Sequence, residues 1–343
     1  MLDELTTQLD TGTDLDPAQC EAAVEQLTTE DIPTESKAEF LTALATKGET
    51  TSELAAFATN LRGRATPVPL DGATTQELLD VCGTGGDGLN TFNISTTVAL
   101  LCASAGVPVA KHGNRAITSK SGSADVLDAL GIPTTLSPAE AATAIQEKNF
   151  AFLFAPLYHP AFKHIAPARK LCAKRGQRTL FNFLGPLLNP ARPTAQLIGV
   201  PRAELCSPMA SVLKNLGIRR GMVVSGAAGD RRMDELSPLG ETAIAEFYQD
   251  RAMAESVWSP GNLPLSSMTL DDLAGGDAEA NAALTSAILS GEDAGPRREA
   301  VLLNAGAALF VAAAAGSITE GWELAAEVID DGRAQAKLEE LSA

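Results

Sequence analysis

The chain has 343 residues, 45% hydrophobic and 20% charged, with a formal net charge of −17; this allows a sizeable core in one large domain or two of unequal size, and disfavours nonspecific nucleic-acid binding because the overall field repels polyphosphate. The longest apolar run, Ala305 to Ala315, is Ala-rich and falls well short of the roughly 20 residues that span a bilayer, so no membrane helix is expected. Five scattered cysteines (Cys20, Cys82, Cys102, Cys172 and Cys206) form no C-x-x-C pair, and MLDELTTQLD is acidic where a secretory leader would be basic and then apolar, so a cytoplasmic protein without a disulfide scaffold or zinc site is expected.

In chain order, residues 1–62 read as several short helices. Asp16-Pro17 and Thr34-Glu35-Ser36 have the composition of helix starts, and apolar residues recur at helical spacing through Ala38, Phe40, Leu41 and Leu44, which predicts a small helical domain. Two close prolines in Arg64-Ala-Thr-Pro67-Val-Pro69 favour extended chain and predict a linker. From Leu78 short apolar runs alternate with Ala-rich stretches: LLDVC, Ser95 to Ala105, VPVA, then Ala124 to Leu130 with Gly131 as a stop. Ser137-Pro-Ala-Glu140 is a capping box ahead of the strand AFLFA, and LIGV, a helix from Ala203 to Leu216 and GMVVSG repeat the alternation. The pattern predicts parallel βαβ units in an α/β architecture. From Glu279 onward the chain reads as mostly helical, with VLLNAGAALFVAAAA as a buried helix.

The stretch LDVCGTGGDGLNTFNISTT carries Gly83-Thr-Gly85-Gly-Asp-Gly88 between a strand and a helix. Glycines there let backbone N–H groups approach a phosphate, and the helix N-terminus adds a favourable dipole. The spelling matches G-x-G-x-x-G, but dinucleotide binding also asks that the helix begin within the glycines and that an acid follow about 20 residues on. Four residues, Leu89 to Phe92, precede the helix start at Asn93 to Ser95, and the next strand ends in Lys111-His112. Asp87, Asn93, Ser95 and Thr96 around the same helix mouth suit a phosphorylated sugar and its metal.

A second strand-to-helix loop runs KHGNRAITSKSGSADVL from Lys111, and two such loops on neighbouring strands face a common crevice. Of three histidines, His112 lies in this loop, while His159 and His164 lie in LYHPAFKH. Between Ala151 and Arg202 the chain carries Lys163, Arg169, Lys170, Lys174, Arg175, Arg178, Arg192 and Arg202 without an Asp or Glu, a positive island that reads as an anion site or a solvated basic face. Asp234-Glu235 follow the GMVVSG strand and its loop; such a pair suits Mg²⁺, although acidic pairs are also common on surfaces.

With DVCGTGGDGLNTFNIST, KHGNRAITSKSGSADVLDALG, FLFAPLYHPAFKHIAPARK, RTLFNFLGPLLNP, MDELSPLG and the C-terminal GWELAAEVIDDGRAQAKLEEL in view, the chain resembles the anthranilate phosphoribosyltransferase family from its helical N-terminus to its last helix. The resemblance implies a small helical domain, residues 1–66 with approximately 161–190, hinged to a larger α/β domain with a mostly parallel sheet, residues 67–160 with approximately 191–343, in a nucleoside phosphorylase-like fold. It implies transfer of phosphoribose from phosphoribosyl pyrophosphate to anthranilate in tryptophan synthesis, with Mg²⁺ and as a homodimer through the helical domains. Carried over by motif, Gly83, Gly86, Asp87, Thr91, Asn93, Ile94, Ser95, Thr96 and Ser123, with the run Lys111, His112, Gly113, Asn114, Arg115, Ala116, Ile117, Thr118 and Ser119, would bind the sugar donor. Gly83, Asn114, Arg169, His112 and His159 would contact anthranilate, and Ser95, Asp234 and Glu235 would hold the metal. No covalent nucleophile is implied. Two departures stand out: Ser225-Gly226 replaces the family's His-Gly and leads into a longer loop, AAGDRR, and the helix after Arg169 is lengthened through LCAKRGQ. A pyrimidine nucleoside phosphorylase and a noncatalytic nucleic-acid-binding relative are the alternatives.

Overall fold

The structure is a computed structural model and describes residues 1–72, 74, 78–116 and 120–343, with only the backbone of Asn262. Four helices open the chain: α1 Leu2–Asp10, α2 Pro17–Thr28, α3 Thr34–Lys47 and α4 Thr51–Gly63. Asp16 and Thr50 cap α2 and α4 with reciprocal capping boxes, which satisfy backbone N–H groups that a helix start otherwise leaves open. The linker around Pro67 forms no regular element.

The α/β part then follows as β1 Leu79–Gly83, α5 Ile94–Ser104, β2 Val109–Gly113, α6 Ser123–Ala129, α7 Pro138–Lys148 and β3 Phe150–Phe154. After α8 Ala166–Lys174 come β4 Ala195–Gly199, α9 Cys206–Asn215 and β5 Arg220–Ala228. Ser137 caps α7 by the expected box. Among the described residues the sheet has eight strands: β3-β2-β1-β4-β5 in that order, all parallel, followed by β7 (Thr242–Tyr248) and β8 (Ala254–Trp258), with β6 (Arg231–Met233) paired to β5. Residues 231–258 supply three antiparallel strands, β6 Arg231–Met233, β7 Thr242–Tyr248 and β8 Ala254–Trp258, for which the sequence reading proposes no element. The chain closes with α10 Ala278–Leu289, α11 Pro296–Val311, α12 Ile318–Asp330 and α13 Arg333–Ser342. No helix among the described residues is long and apolar enough to cross a membrane.

Both faces of the sheet are covered, as a parallel sheet requires. Leu79, Val81, Leu197, Met222 and Val224 point to a core shared with α5, α11 and α12, while Cys82, Ile198 and Val223 point to a second core. That second core contains Phe40, Leu41 and Phe57 of the N-terminal helices together with Ile165, Ala168, Leu180 and Leu184. The chain from 165 to 188 therefore packs with α1–α4 on one side of the sheet. All five cysteines are buried and unpaired.

Candidate active site

The strand order places β1 between β2 and β4, so the order of strands reverses at the β1/β4 edge, and in open α/β sheets ligands bind beyond the C-terminal ends of the strands at such a point. The glycine loop after β1 lies there. Gly85, Gly86 and Gly88 have φ of 73°, 86° and 67°, conformations that side chains disfavour. Thr84 N donates to Gly199 O at 2.9 Å, and Gly85 N donates to Asp234 Oδ2 at 2.7 Å. A Cβ on Gly83 would run into the Asp234 carboxylate, and one on Gly199 into the Asp234 backbone. The bare ends of β1 and β4 thus let the Asp234 segment cross directly over them.

Between the glycines and α5 the chain is held extended: Thr91 bridges Ala274, and Phe92 N donates to Leu273 O at 3.0 Å. Asn93 occupies the N-cap position of α5, and its side-chain Oδ1 accepts from Asn281 Nδ2 at 2.7 Å. Ile94 and Thr96 are buried, and Thr96 Oγ1 has no hydrogen-bond partner.

Charge in the crevice is dominated by carboxylates. Burial and the neighbouring Asp87 push Asp234 up to about 7, and burial with Asp234 beside it pushes Glu235 well above the usual carboxylate range. Lys111, 2% exposed, is the nearest ammonium: its Nζ donates to Val81 O at 2.7 Å and to Ser95 Oγ at 3.4 Å. Burial lowers its pKa, opposed by Asp80 and Glu235. The nearby Ser95 backbone and Lys111 oppose the rise at Glu235. A divalent cation would relieve the repulsion among these acids, and hard carboxylate oxygens beside a serine hydroxyl suit Mg²⁺. Among the described residues no three His, Cys, Asp or Glu side chains could hold a metal by themselves; Mg²⁺ ordinarily completes its shell with water and substrate phosphate.

At the end of β2 the chemistry changes. His112 and His159 meet edge to face at 5.2 Å, His159 stacks on Phe162 at 5.0 Å, and Phe162 meets Phe181 at 5.8 Å. The Arg169 guanidinium lies 5.1 Å from the centre of the Phe181 ring. Burial depresses His112 to about 3, assisted by His159, and His159 to about 4, so both imidazoles are neutral near pH 7. Their Nε2 atoms are buried without partners. This line of rings beginning beside Lys111 and ending at a guanidinium suits a flat, anionic aromatic molecule.

The second loop turns tightly. Asn114 O accepts from Ala124 N and Ser123 Oγ, both at 3.3 Å, and a Cβ on Gly113 would strike Ser123 Oγ. Arg115 is engaged by Asp125 at 3.1 Å and Asp128 at 2.6 Å, while Ala116 N donates to Asp125. Ile117, Thr118 and Ser119 lie outside the described residues.

Sequence reasoning missed one polar cluster beneath this site. Asp80 is fully buried on β1; its carboxylate accepts from Asn189 Nδ2 at 2.9 Å, Gln196 Nε2 at 3.3 Å and His112 N at 3.4 Å. Burial raises its pKa to about 6. The available signal was a lone acid inside the apolar run LLDVC. Its partners, distant in sequence, gave none.

Residues 3–65 match the helical bundle domain of a glycosyl transferase family, and residues 75–335 match the a/b domain of that family. Fold and crevice together therefore define a glycosyl transferase. The anthranilate phosphoribosyltransferase of Lacticaseibacillus casei is 46% identical over 95% of this chain and 92% of its own length. That of Thermus thermophilus superposes with a TM-score of 0.89 at 40% identity, covering 98% of each chain. The enzyme from Saccharomyces cerevisiae, solved in complex with PRPP and Mg, superposes with a TM-score of 0.87 at 27% identity, covering 99% of this chain and 96% of that one. The chain belongs to the anthranilate phosphoribosyltransferases.

Proposed function

We propose that the chain transfers the 5-phosphoribosyl group from phosphoribosyl pyrophosphate to the amine of anthranilate, a step of tryptophan biosynthesis, with the two reactants meeting beside Lys111 and His112. One observation supports the assignment of sites: a glycine N–H cradle with a carboxylate pair adjoins a packed line of rings that ends at Arg169. The yeast relative has been solved with PRPP and Mg and, separately, with 4-fluoroanthranilate.

On this reading Gly83, Gly86, Asp87, Thr91 and Asn93 to Thr96, with Lys111 to Ser119 and Ser123, hold the sugar donor. The backbone N–H groups of the glycine loop and the α5 start face phosphate oxygens. Ser95, Asp234 and Glu235 would hold Mg²⁺, which supplies positive charge to the leaving pyrophosphate. Arg169 faces the anthranilate carboxylate, and the neutral His112 and His159 each carry one N–H and offer their other ring nitrogen as an acceptor to the aromatic amine. The reaction forms the bond from nitrogen to ribose C1 as the bond from C1 to pyrophosphate oxygen breaks, and the surplus amine proton is released. Holding the two partners in line can supply about 7–11 kcal/mol, so no covalent nucleophile is needed. Residues 161–190 act as part of the helical domain, and its movement against the α/β domain would exclude water from the activated sugar. A homodimer through the helical domains and a cytoplasmic location complete the reading.

The test mixes purified protein with anthranilate, phosphoribosyl pyrophosphate and Mg²⁺ and follows anthranilate fluorescence. Mg²⁺-dependent loss is expected. Its absence, or phosphate-dependent release of base from thymidine, would overturn the reading.

A further inference from the structure

The loop AAGDRR becomes the β5–β6 hairpin, paired Ala227 to Arg232 and Ala228 to Arg231. Neighbouring side chains on β6 point to opposite faces. Arg232 braces the hairpin from one of them: its Nε donates to Ser225 Oγ at 3.0 Å and its Nη2 to the Ser225 carbonyl. Met233, buried, anchors the end of the same strand, immediately before Asp234.

With the hairpin fixed in this way, Arg231 reaches across to the glycine loop. Its Nη2 donates to the Asp87 carbonyl at 2.8 Å and stands 3.1 Å from the position a Cβ on Gly88 would take. The side chain is exposed, and among the described residues this is its one hydrogen bond, with no ion pair. A guanidinium with donors to spare therefore lies at the rim of a cradle whose glycine N–H groups also suit phosphate. Lys111, in contrast, is buried beneath that cradle.

We propose that Arg231 is a further binding residue for the pyrophosphate of the sugar donor and of the released product. The assignment rests on the function proposed above. The planar fork of a guanidinium matches two phosphate oxygens, so Arg231 can add charge-assisted contacts while keeping its bond to the Asp87 carbonyl. It also offsets the excess of acid left by Asp87, Asp234 and Glu235 around a polyanionic ligand.

The experiment compares the parent with Arg231→Ala, Arg231→Gln and Arg231→Lys, measuring Mg²⁺-pyrophosphate binding by calorimetry, KM for each substrate, and the melting temperature. Loss of the guanidinium in the Ala and Gln variants should raise the pyrophosphate Kd and the KM for the sugar donor by about tenfold. The KM for anthranilate and the melting temperature should stay unchanged, and Arg231→Lys should recover part of the loss. The Gln variant separates binding from loop bracing, since its amide can still donate to the Asp87 carbonyl. Parent-like pyrophosphate binding by Arg231→Gln, in a parent protein that turns over anthranilate, would overturn this assignment alone. A parent that neither binds Mg²⁺-pyrophosphate nor turns over would overturn the assignment together with the proposed function.

Discussion

Asp234 shows how single residues set this site. It is held by the Gly85 N–H and lies where a side chain on Gly83 would stand, so the sequence motif that resembles a nucleotide loop also makes room for a distant carboxylate. The motif itself is readable from glycines and spacing. Its pairing with Asp234 spans some 150 residues of chain and needs the fold. The histidines give a prediction with a definite sign. His112 and His159 have folded pKa values of about 3 and about 4, below the unfolded value of about 6.5. The unfolded chain thus takes up protons that the folded chain refuses. The stability this gives is present above pH of about 6.5 and falls away as pH drops toward the folded values. Between about pH 7.5 and about pH 5, His159→Gln should therefore lose about 2 kcal/mol less stability than the parent, as read by urea unfolding. Asp80 and Lys111, which flank His112, are common to both proteins and cancel in the comparison. Equal losses would refute the assignment of a neutral His159.

Elements with strong local signals were legible in the sequence. The caps at Asp16 and Ser137 begin helices as read, because a side-chain oxygen serving open backbone N–H groups is a local interaction. The strands β7 and β8 escaped the reading: β8 is exposed from Ala254 to Val257 at the sheet edge, so no buried face marks it with apolar alternation. Helix α11 was readable as buried, but its effect on the site was not. Asn304 Oδ1 accepts from Leu236 N at 2.8 Å and its Nδ2 donates to Leu236 O at 3.0 Å, which clamps the residue after Glu235. Asn304→Leu keeps the bulk and leaves both Leu236 groups buried without those partners, at a cost of about 1–3 kcal/mol per group. Melting should fall accordingly, and the Mg²⁺ concentration giving half-maximal rate should rise, because Glu235 is no longer fixed. A lower melting temperature with an unchanged Mg²⁺ requirement would confine Asn304 to stability.

Across the whole molecule, the helical domain and the segment carrying the line of rings are joined through Lys37. This lysine is 2% exposed, and its Nζ donates to Thr29 O at 2.5 Å and to His164 O at 3.0 Å. It thereby ties α2 and α3 to the segment that carries His159 and leads into Arg169. Burial lowers its pKa, and the two carbonyls take up two of its three donors. Lys37→Met keeps most of the length and removes the tether. The KM for anthranilate should rise severalfold while that for phosphoribosyl pyrophosphate stays near the parent value, measured by varying each substrate at saturation of the other. Equal shifts in both would place Lys37 in general stability instead.

The sequence by itself determined the class of the protein: glycine spacing, the Lys111 that replaces an acid, and the Asp234-Glu235 pair each carry chemistry in a short stretch, and six long motifs together specify the family. Only the tertiary structure decided which of these groups face one another. The Asp80 cluster, the line of rings from His112 to Phe181 beside Arg169, and the reach of Arg231 to Asp87 all join residues far apart in the chain. Their physical basis is the same in each case: burial and electrostatic partnership depend on distance in space, which sequence spacing encodes only within a helix, a strand or a turn.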